Sequence, residues 1–124
     1  MSGKSFLLDS NFIIRLSKGD EALIEFINES PNYFAVSVVT YMEVMGYNFN
    51  DDNEYNMIRD VFEIFEILYI DEVIAQKTID VRKIKKVKLP DAIIAATALS
   101  LDFTLVTANF DDFKNIPNLK ILNK

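Results

Sequence analysis

The residues of this chain that could carry out chemistry are carboxylates. The 124-residue sequence contains no His and no Cys, which excludes imidazole acid–base catalysis, thiolate nucleophiles and Cys-based zinc sites. Several acids and one amide instead follow predicted strands or open predicted helices: Asp9, Glu43, Asp91, Asn109 and Asp112. Oxygen ligands of this kind suit a hard cation such as Mg²⁺ or Mn²⁺. These residues therefore predict metal-assisted hydrolysis.

Each acid also has a purely structural interpretation. Asp9 could cap the helix that follows it, and Asp91 beside Pro90 is a first-turn acid of the kind that the helix dipole favours. Residues 111–112 could be turn residues at the surface. Several carboxylates gathered without a cation would repel one another and raise their pKa values, and a bound Mg²⁺ removes that penalty.

The role of Glu43 depends on which residue caps its helix. Thr40 and Glu43 have the spacing of a capping box, in which the Glu side chain bonds back to the helix start. If Ser37 is the cap instead, Glu43 lies deeper in the helix and its carboxylate is free. Both interpretations stay open at the level of the sequence.

Alternating strands and helices must position these acids. Apolar, β-rich runs predict strands over 6–8, 33–39, 67–70 and 103–106, with a weaker fifth over 119–122. Helices are predicted over 11–18, from 20 onward, over 40–48 and 51–65, after the cap at 71, and over 90–101. This order indicates a three-layer α/β fold with a central parallel sheet of four to five strands, in one domain over 1–124. In such folds ligands bind beyond the carboxyl ends of the strands, where these acids are expected to meet.

The helix capped by Asp71 leads into the densest positive charge of the chain. Its predicted inward residues are Val73, Ile74, Ile79 and Ile84. Five of the thirteen basic residues then fall within seven positions: Arg82, Lys83, Lys85, Lys86 and Lys88. A formal charge of −6 argues against nucleic-acid binding, but the distribution matters more than the sum. This segment is either a solvated helix end that suits the dipole, or a grip on a phosphate backbone, with Ile84 and Val87 anchoring the helix.

Four motifs together resemble a known family. They are Leu7–Ile14, Ser37–Glu43, Pro90–Ala98 and Leu105–Phe113. In this order and spacing, the sequence resembles a PIN domain of the VapC toxin type over nearly its whole length. One departure is Asp102, where relatives usually have Gly at the helix end.

The resemblance implies a site and a reaction. Asp9, Glu43 and Asp91 would bind Mg²⁺ or Mn²⁺, and either Asn109 or Asp112 would supply the fourth ligand. Asn11 and Thr107 would orient carboxylates or waters. The implied reaction is endonucleolytic hydrolysis of RNA, in which a metal-bound hydroxide attacks phosphorus. The basic residues from Arg82 to Lys88 would then hold the RNA backbone.

The resemblance also implies partners. A VapC-like chain would be the toxin of a type II toxin–antitoxin pair, with a cognate antitoxin protein and a homodimer partner besides its RNA substrate. Exposed aromatic residues would suit such a partner, although a core position is an equal alternative for Tyr41, Tyr47, Phe49 and Tyr55. No apolar stretch reaches the length of a membrane helix, so no membrane is expected and the cytoplasm is the expected location. The alternative function is a PIN fold used without catalysis, as a protein-binding or scaffolding module.

Overall fold

The computed structural model describes residues 3–29 and 31–124, which form alternating strands and helices. The strands are β1 (Ser5–Leu8), β2 (Tyr33–Ser37), β3 (Glu66–Leu68), β4 (Thr104–Thr107) and β5 (Ile121–Asn123). The helices are α1 (Ser10–Ser17), α2 (Glu21–Ile27), α3 (Val38–Met45), α4 (Asp52–Ile64), α5 (Glu72–Ile84), α6 (Leu89–Leu101) and α7 (Phe110–Phe113). In this part of the chain no helix has the length and apolarity that crossing a membrane requires.

The strands form one parallel sheet in the order β3-β2-β1-β4-β5. Leu8 at the end of β1 is in register with Val36 of β2 and Val106 of β4. The carboxyl ends of the three central strands therefore lie at the same edge of the sheet. The predicted three-layer α/β fold with a central parallel sheet is confirmed.

Hydrophobic side chains cover both faces of the sheet. Successive residues of β1 point to opposite faces, so Leu8 packs with α1 to α4 while Leu7 packs with α5, α6 and α7. The layer that contains α5, α6 and α7 is close-packed because α6 presents small side chains to the sheet. Its Ala92, Ala95 and Ala98 are fully buried. This packing fixes where α1, α3 and α6 begin, which is what places the acids.

Two predicted strands extend too far: the strand over 67–70 ends at Leu68, and the strand over 33–39 ends at Ser37. Val38 and Val39, predicted as the end of the second strand, form the first turn of α3. Local hydrogen bonding accounts for the difference, because the Ser37 side chain accepts a hydrogen bond from the backbone N–H of Val39 at 3.1 Å and so caps a helix there. This capping overrides the β-propensity of two Val residues.

The predicted inner face of α5 is largely wrong. Ile74 is buried, but Val73, Ile79 and Ile84 are 65%, 48% and 69% exposed. The buried positions of this helix are Ile74, Thr78 and Val81. Their spacing of four and three residues forms one narrow stripe, and the other three apolar residues lie outside it.

Candidate metal centre

Four acids lie in the segments that follow β1, β2 and β4 or in the first turn of α6, at the carboxyl edge of the sheet. Asp9 joins β1 to α1, Glu43 lies in α3 after β2, Asp91 lies in the first turn of α6, and Asp112 lies in α7 after β4. We call these four residues the carboxylate cluster. The pKa values of three of them are raised, and in two cases by the charge of another member.

Asp9 is the most rigidly held member. It is 6% exposed, and one carboxylate oxygen accepts a hydrogen bond from the backbone N–H of Phe12 at 3.0 Å. The other oxygen accepts one from the Thr107 hydroxyl at 2.6 Å, and Thr107 in turn accepts one from the backbone N–H of Asn109 at 2.9 Å. Burial raises the pKa of Asp9, and the hydrogen bonds from Thr107 and Phe12 partly counter this effect. Asp9 is thus a helix cap whose orientation is fixed from the neighbouring strand.

Glu43 is free of any capping role. Ser37 caps α3, so Glu43 is the sixth residue of the helix and the capping-box interpretation is wrong. Its side chain is exposed. Partial burial raises the pKa of Glu43, and the negative charge of Asp91 raises it further.

Asp91 is the electrostatic centre of the carboxylate cluster. Burial raises its pKa, and the charges of Asp112 and Asp9 add to that effect. The ammonium group of Lys88 acts in the opposite direction. Since Asp91 also affects Glu43, all four members interact through this one residue.

The donor set of the carboxylate cluster fits a hard divalent cation. All its donors are carboxylate oxygens, and none of the four acids belongs to an ion pair within the described chain. Over residues 3–29 and 31–124, however, no group of three or more acids is spaced tightly enough to form a ready-made metal cage. Glu43 and Asp112 are exposed, so their side chains have room to turn toward a cation. The cluster is therefore a set of suitable ligands that binding has to draw together.

The matching family model is the PIN domain, over residues 6–119. The chain belongs to the PIN domain family. The resemblance to VapC-type PIN domains that the motifs indicate is confirmed by the structural neighbours described next.

Solved structures of toxin–antitoxin systems share this PIN fold. The toxin–antitoxin complex from Klebsiella pneumoniae has a chain with 33% identity and a TM-score of 0.78, covering 98% of this chain and 97% of that one. The DNA-bound VapBC structure from Salmonella typhimurium matches at 25% identity and a TM-score of 0.85, covering 97% and 98%. VapBC2 from Rickettsia felis, bound to a promoter DNA fragment, matches at 21% identity and 0.87 with the same coverage. No curated protein sequence matches the chain significantly.

The other predicted site residues of this PIN domain have different positions. Asn109 is exposed at the N-terminus of α7 without a side-chain capping bond, and it borders a surface hollow together with Asp112 and Asn123. Asn11 is exposed in α1, and within the described residues its side chain makes no hydrogen bond to the carboxylate cluster. Arg15 was not predicted from the sequence. Its positive charge lowers the pKa of Asp9, but no motif marks it.

The basic segment, residues 82–88, is not one helix. Arg82 and Lys83 lie in the last turn of α5, whereas Lys85, Lys86 and Lys88 lie in the connection to α6. The predicted helical anchor through Ile84 and Val87 is therefore wrong for Ile84, which is exposed, while Val87 packs partly against the core. Pro90 accounts for the break, because in one continuous helix it would offer no N–H donor to the Lys86 carbonyl and its ring would clash with that oxygen.

The aromatic residues divide between core and surface. The Tyr41 ring packs edge-on against Phe62 with centroids 5.1 Å apart. Tyr47, Phe49 and Tyr55 instead form a continuous row of edge-on contacts, and Tyr47 is 71% exposed. This row borders a groove between α1, α3 and α4, with Glu43 in its wall.

Proposed function

We propose that this PIN domain is a metal-dependent endoribonuclease and the toxin of a type II toxin–antitoxin pair. PIN domains of VapC toxins are nucleases, and the structural neighbours include several toxin–antitoxin complexes, one of them 33% identical. The observation that carries the proposal is the carboxylate cluster. Its acids raise one another's pKa values at the carboxyl edge of the sheet, and none of them has a neutralising ion pair among the described residues.

Asp9, Glu43 and Asp91 would hold Mg²⁺ or Mn²⁺, with Asp112 or Asn109 as the fourth ligand. When bound, the cation supplies a hydroxide nucleophile near neutral pH and offsets charge on the phosphate oxygens. Thr107 keeps the Asp9 carboxylate oriented, so one ligand is fixed before binding. For Asn11, an orienting role toward a bound water is the remaining proposal.

The basic segment would hold the RNA backbone. Lys88 is the best placed of its cations, because its charge already acts on Asp91. An exposed Lys at this point can contact a phosphate that approaches the carboxylate cluster. Arg82, Lys83, Lys85 and Lys86 extend the positive charge away from Asp91 along the connection and the end of α5.

The proposed partners follow from the family. The similar structures are VapBC and other toxin–antitoxin complexes, so a cognate antitoxin is proposed for this chain too. A homodimer is proposed as the toxin's own assembly. A toxin that cleaves cellular RNA beside its antitoxin would act in the cytoplasm.

The purified chain and its Asp91→Asn variant give the direct test. With single-stranded RNA, the wild type should cleave in Mg²⁺ or Mn²⁺, stop in EDTA and resume when the metal is restored. Asp91→Asn should lose at least 100-fold of the rate, because the residue central to the cluster is removed. A wild type that gains no thermal stability from Mn²⁺ and cleaves no RNA would favour the non-catalytic binding module instead.

A further inference from the structure

A buried hydroxyl at the start of α3 lacks a partner. Thr40 is fully buried, and its hydroxyl oxygen makes no hydrogen bond within the described chain. Buried hydroxyls are normally bonded, because leaving one unpaired costs its desolvation energy. An unpaired buried hydroxyl therefore requires an explanation. The usual one is an ordered water inside the protein or a group that it contacts during function.

The other buried threonines all donate. Thr78 and Thr97 bond to the carbonyl oxygens four residues earlier, Ile74 and Ile93, at 2.8 and 2.7 Å. Thr107 bonds to Asp9. Thr40 is only the third residue of α3, so the residue four positions earlier belongs to β2 and not to the helix. The usual back-bond of a helical Thr is therefore denied to it.

The position of Thr40 points to the carboxylate cluster. α3 packs against α1, which follows Asp9, and against α6, which carries Asp91 in its first turn. Thr40 lies one turn before Glu43 on the same helix, and residues three apart are neighbours on a helix surface. The Glu43 carboxylate accepts no hydrogen bond from the described residues.

We propose that Thr40 is a positioning residue for Glu43. When Glu43 turns inward to a divalent cation, the Thr40 hydroxyl donates a hydrogen bond to its carboxylate, directly or through one water. The Thr40 hydroxyl is thus a donor available to Glu43 once a cation is bound. This inference rests on the proposed function.

Three variants of the full chain test it. Thr40→Val keeps the shape and removes the hydroxyl, and Thr40→Ser keeps the hydroxyl. Ser100→Ala is the matched control, since the Ser100 hydroxyl is also buried without a partner but lies nine residues beyond Asp91 on α6, roughly 13 Å along the axis. The readouts are the melting temperature in EDTA and the Mn²⁺ dissociation constant by calorimetry.

In EDTA, Thr40→Val and Ser100→Ala should both melt higher than wild type, by about 2–5 °C, because an unsatisfied hydroxyl is removed. In Mn²⁺ the two should differ. Thr40→Val should bind the ion about 10-fold more weakly, Ser100→Ala should bind like wild type, and Thr40→Ser should restore binding. Thr40→Ala gives a second variant without the hydroxyl if Val fails to fold.

Two results would overturn the inference, and they differ in what else they affect. If wild type binds Mn²⁺ and Thr40→Val binds it equally well, Thr40 has no role at the metal site and its hydroxyl is simply unpaired. The proposed function would then be unaffected. If wild type does not bind Mn²⁺ at all, the proposed function and the role of Thr40 fail together.

Discussion

The acids of the carboxylate cluster differ in how far hydrogen-bond donors compensate their negative charge. Asp9 is compensated by donors from Phe12 and Thr107, so replacing it with Asn would also disturb two hydrogen bonds. Asp91 has no such donors among the described residues, and its pKa is raised by burial and by Asp112 and Asp9. The energetic effect of the cluster's charge is therefore read most cleanly at Asp91.

In EDTA, Asp91→Asn should be more stable than wild type at pH 7, by about 0.3–1 kcal/mol, the range for a partly exposed charge. The pKa of Asp91 is raised in the folded state, so ionisation of this residue destabilises the fold. The stability that protonated Asp91 contributes is present at a pH below its ordinary pKa of about 3.9, and it is lost as the pH rises through the folded-state pKa. The advantage of Asn should therefore shrink as pH falls toward 4. Melting curves from pH 4 to 7.5 measure it.

Asp111→Asn is the control for this measurement. Asp111 is exposed near the carboxylate cluster but pairs with Lys114 at 3.2 Å, so its replacement should bring no gain. An Asp91→Asn variant less stable than wild type at pH 7 in EDTA would contradict the repulsion argument.

Among the elements, helix α6 has an unusual backbone conformation at its C-terminal end. Its first turn carries Asp91 of the carboxylate cluster, and its last residue is followed by the C-cap Asp102, whose φ of 58° lies in the left-handed region. Gly adopts this conformation without strain, whereas an Asp there is tolerated at a cost.

Asp102→Gly should stabilise the chain by about 0.5–1 kcal/mol, because relief of left-handed strain exceeds the loss of an exposed ion pair with Lys120. Urea denaturation at pH 7 measures the change. Lys120→Gln breaks the same ion pair and leaves the backbone unchanged. It should lower the free energy of unfolding by less than about 0.5 kcal/mol or not at all, because exposed ion pairs contribute little to stability. A destabilised Asp102→Gly variant would show that the ion pair dominates.

The connection between α5 and α6 makes a second prediction at this level. Replacing Lys85, Lys86 and Lys88 by Gln should weaken RNA binding and flatten the salt dependence by roughly 0.7 per lost phosphate contact with single strands. Mn²⁺ binding should not weaken, because Lys88→Gln removes a positive charge that acts on Asp91. The control replaces Lys18, Lys77 and Lys120, which carry the same charge elsewhere. Equal salt slopes for both triple variants would mean that the basic segment is only a helix end and a connection.

The whole molecule leaves apolar surface uncovered beside edge strand β3. Tyr69, Ile70 and Val73 are 67%, 42% and 65% exposed within five positions. Neighbouring exposed apolar side chains are a common feature of interaction surfaces. We place the proposed homodimer contact at this surface, because Val73 lies outside the buried stripe of α5 and does not pack into the core of the chain.

Light scattering at micromolar concentration should therefore give about twice the 14.2 kDa chain mass. Val73→Glu should shift the protein toward the monomer by at least 10-fold in dissociation constant, as expected when a charge is buried in an interface. Ile79→Glu, an exposed position elsewhere on α5, should leave the assembly unchanged. A monomeric wild type would exclude a stable dimer, and equal effects of both variants would place the contact elsewhere.

The sequence by itself determined the α/β order of elements and the family, and it predicted which acids form the site. The apolar runs and the Pro, Asp and Ser residues at element starts act locally, so they can be read without the fold. The end of β2 was misjudged because one side-chain hydrogen bond from Ser37 outweighed the propensity of two Val residues. The inner face of α5 was misjudged because several apolar residues competed for one narrow stripe.

Only the tertiary structure decided how the acids relate to one another. Thr107 holds Asp9 across 98 residues of sequence, Lys88 acts on Asp91, and Thr40, on the same helix as Glu43, is buried without a hydrogen-bond partner among the described residues. These relations depend on strand order and helix packing, which bring together residues that no local pattern connects. Spacing along the chain gives the residue types of a site, whereas distances, burial and hydrogen-bond partners exist only once the sheet has formed.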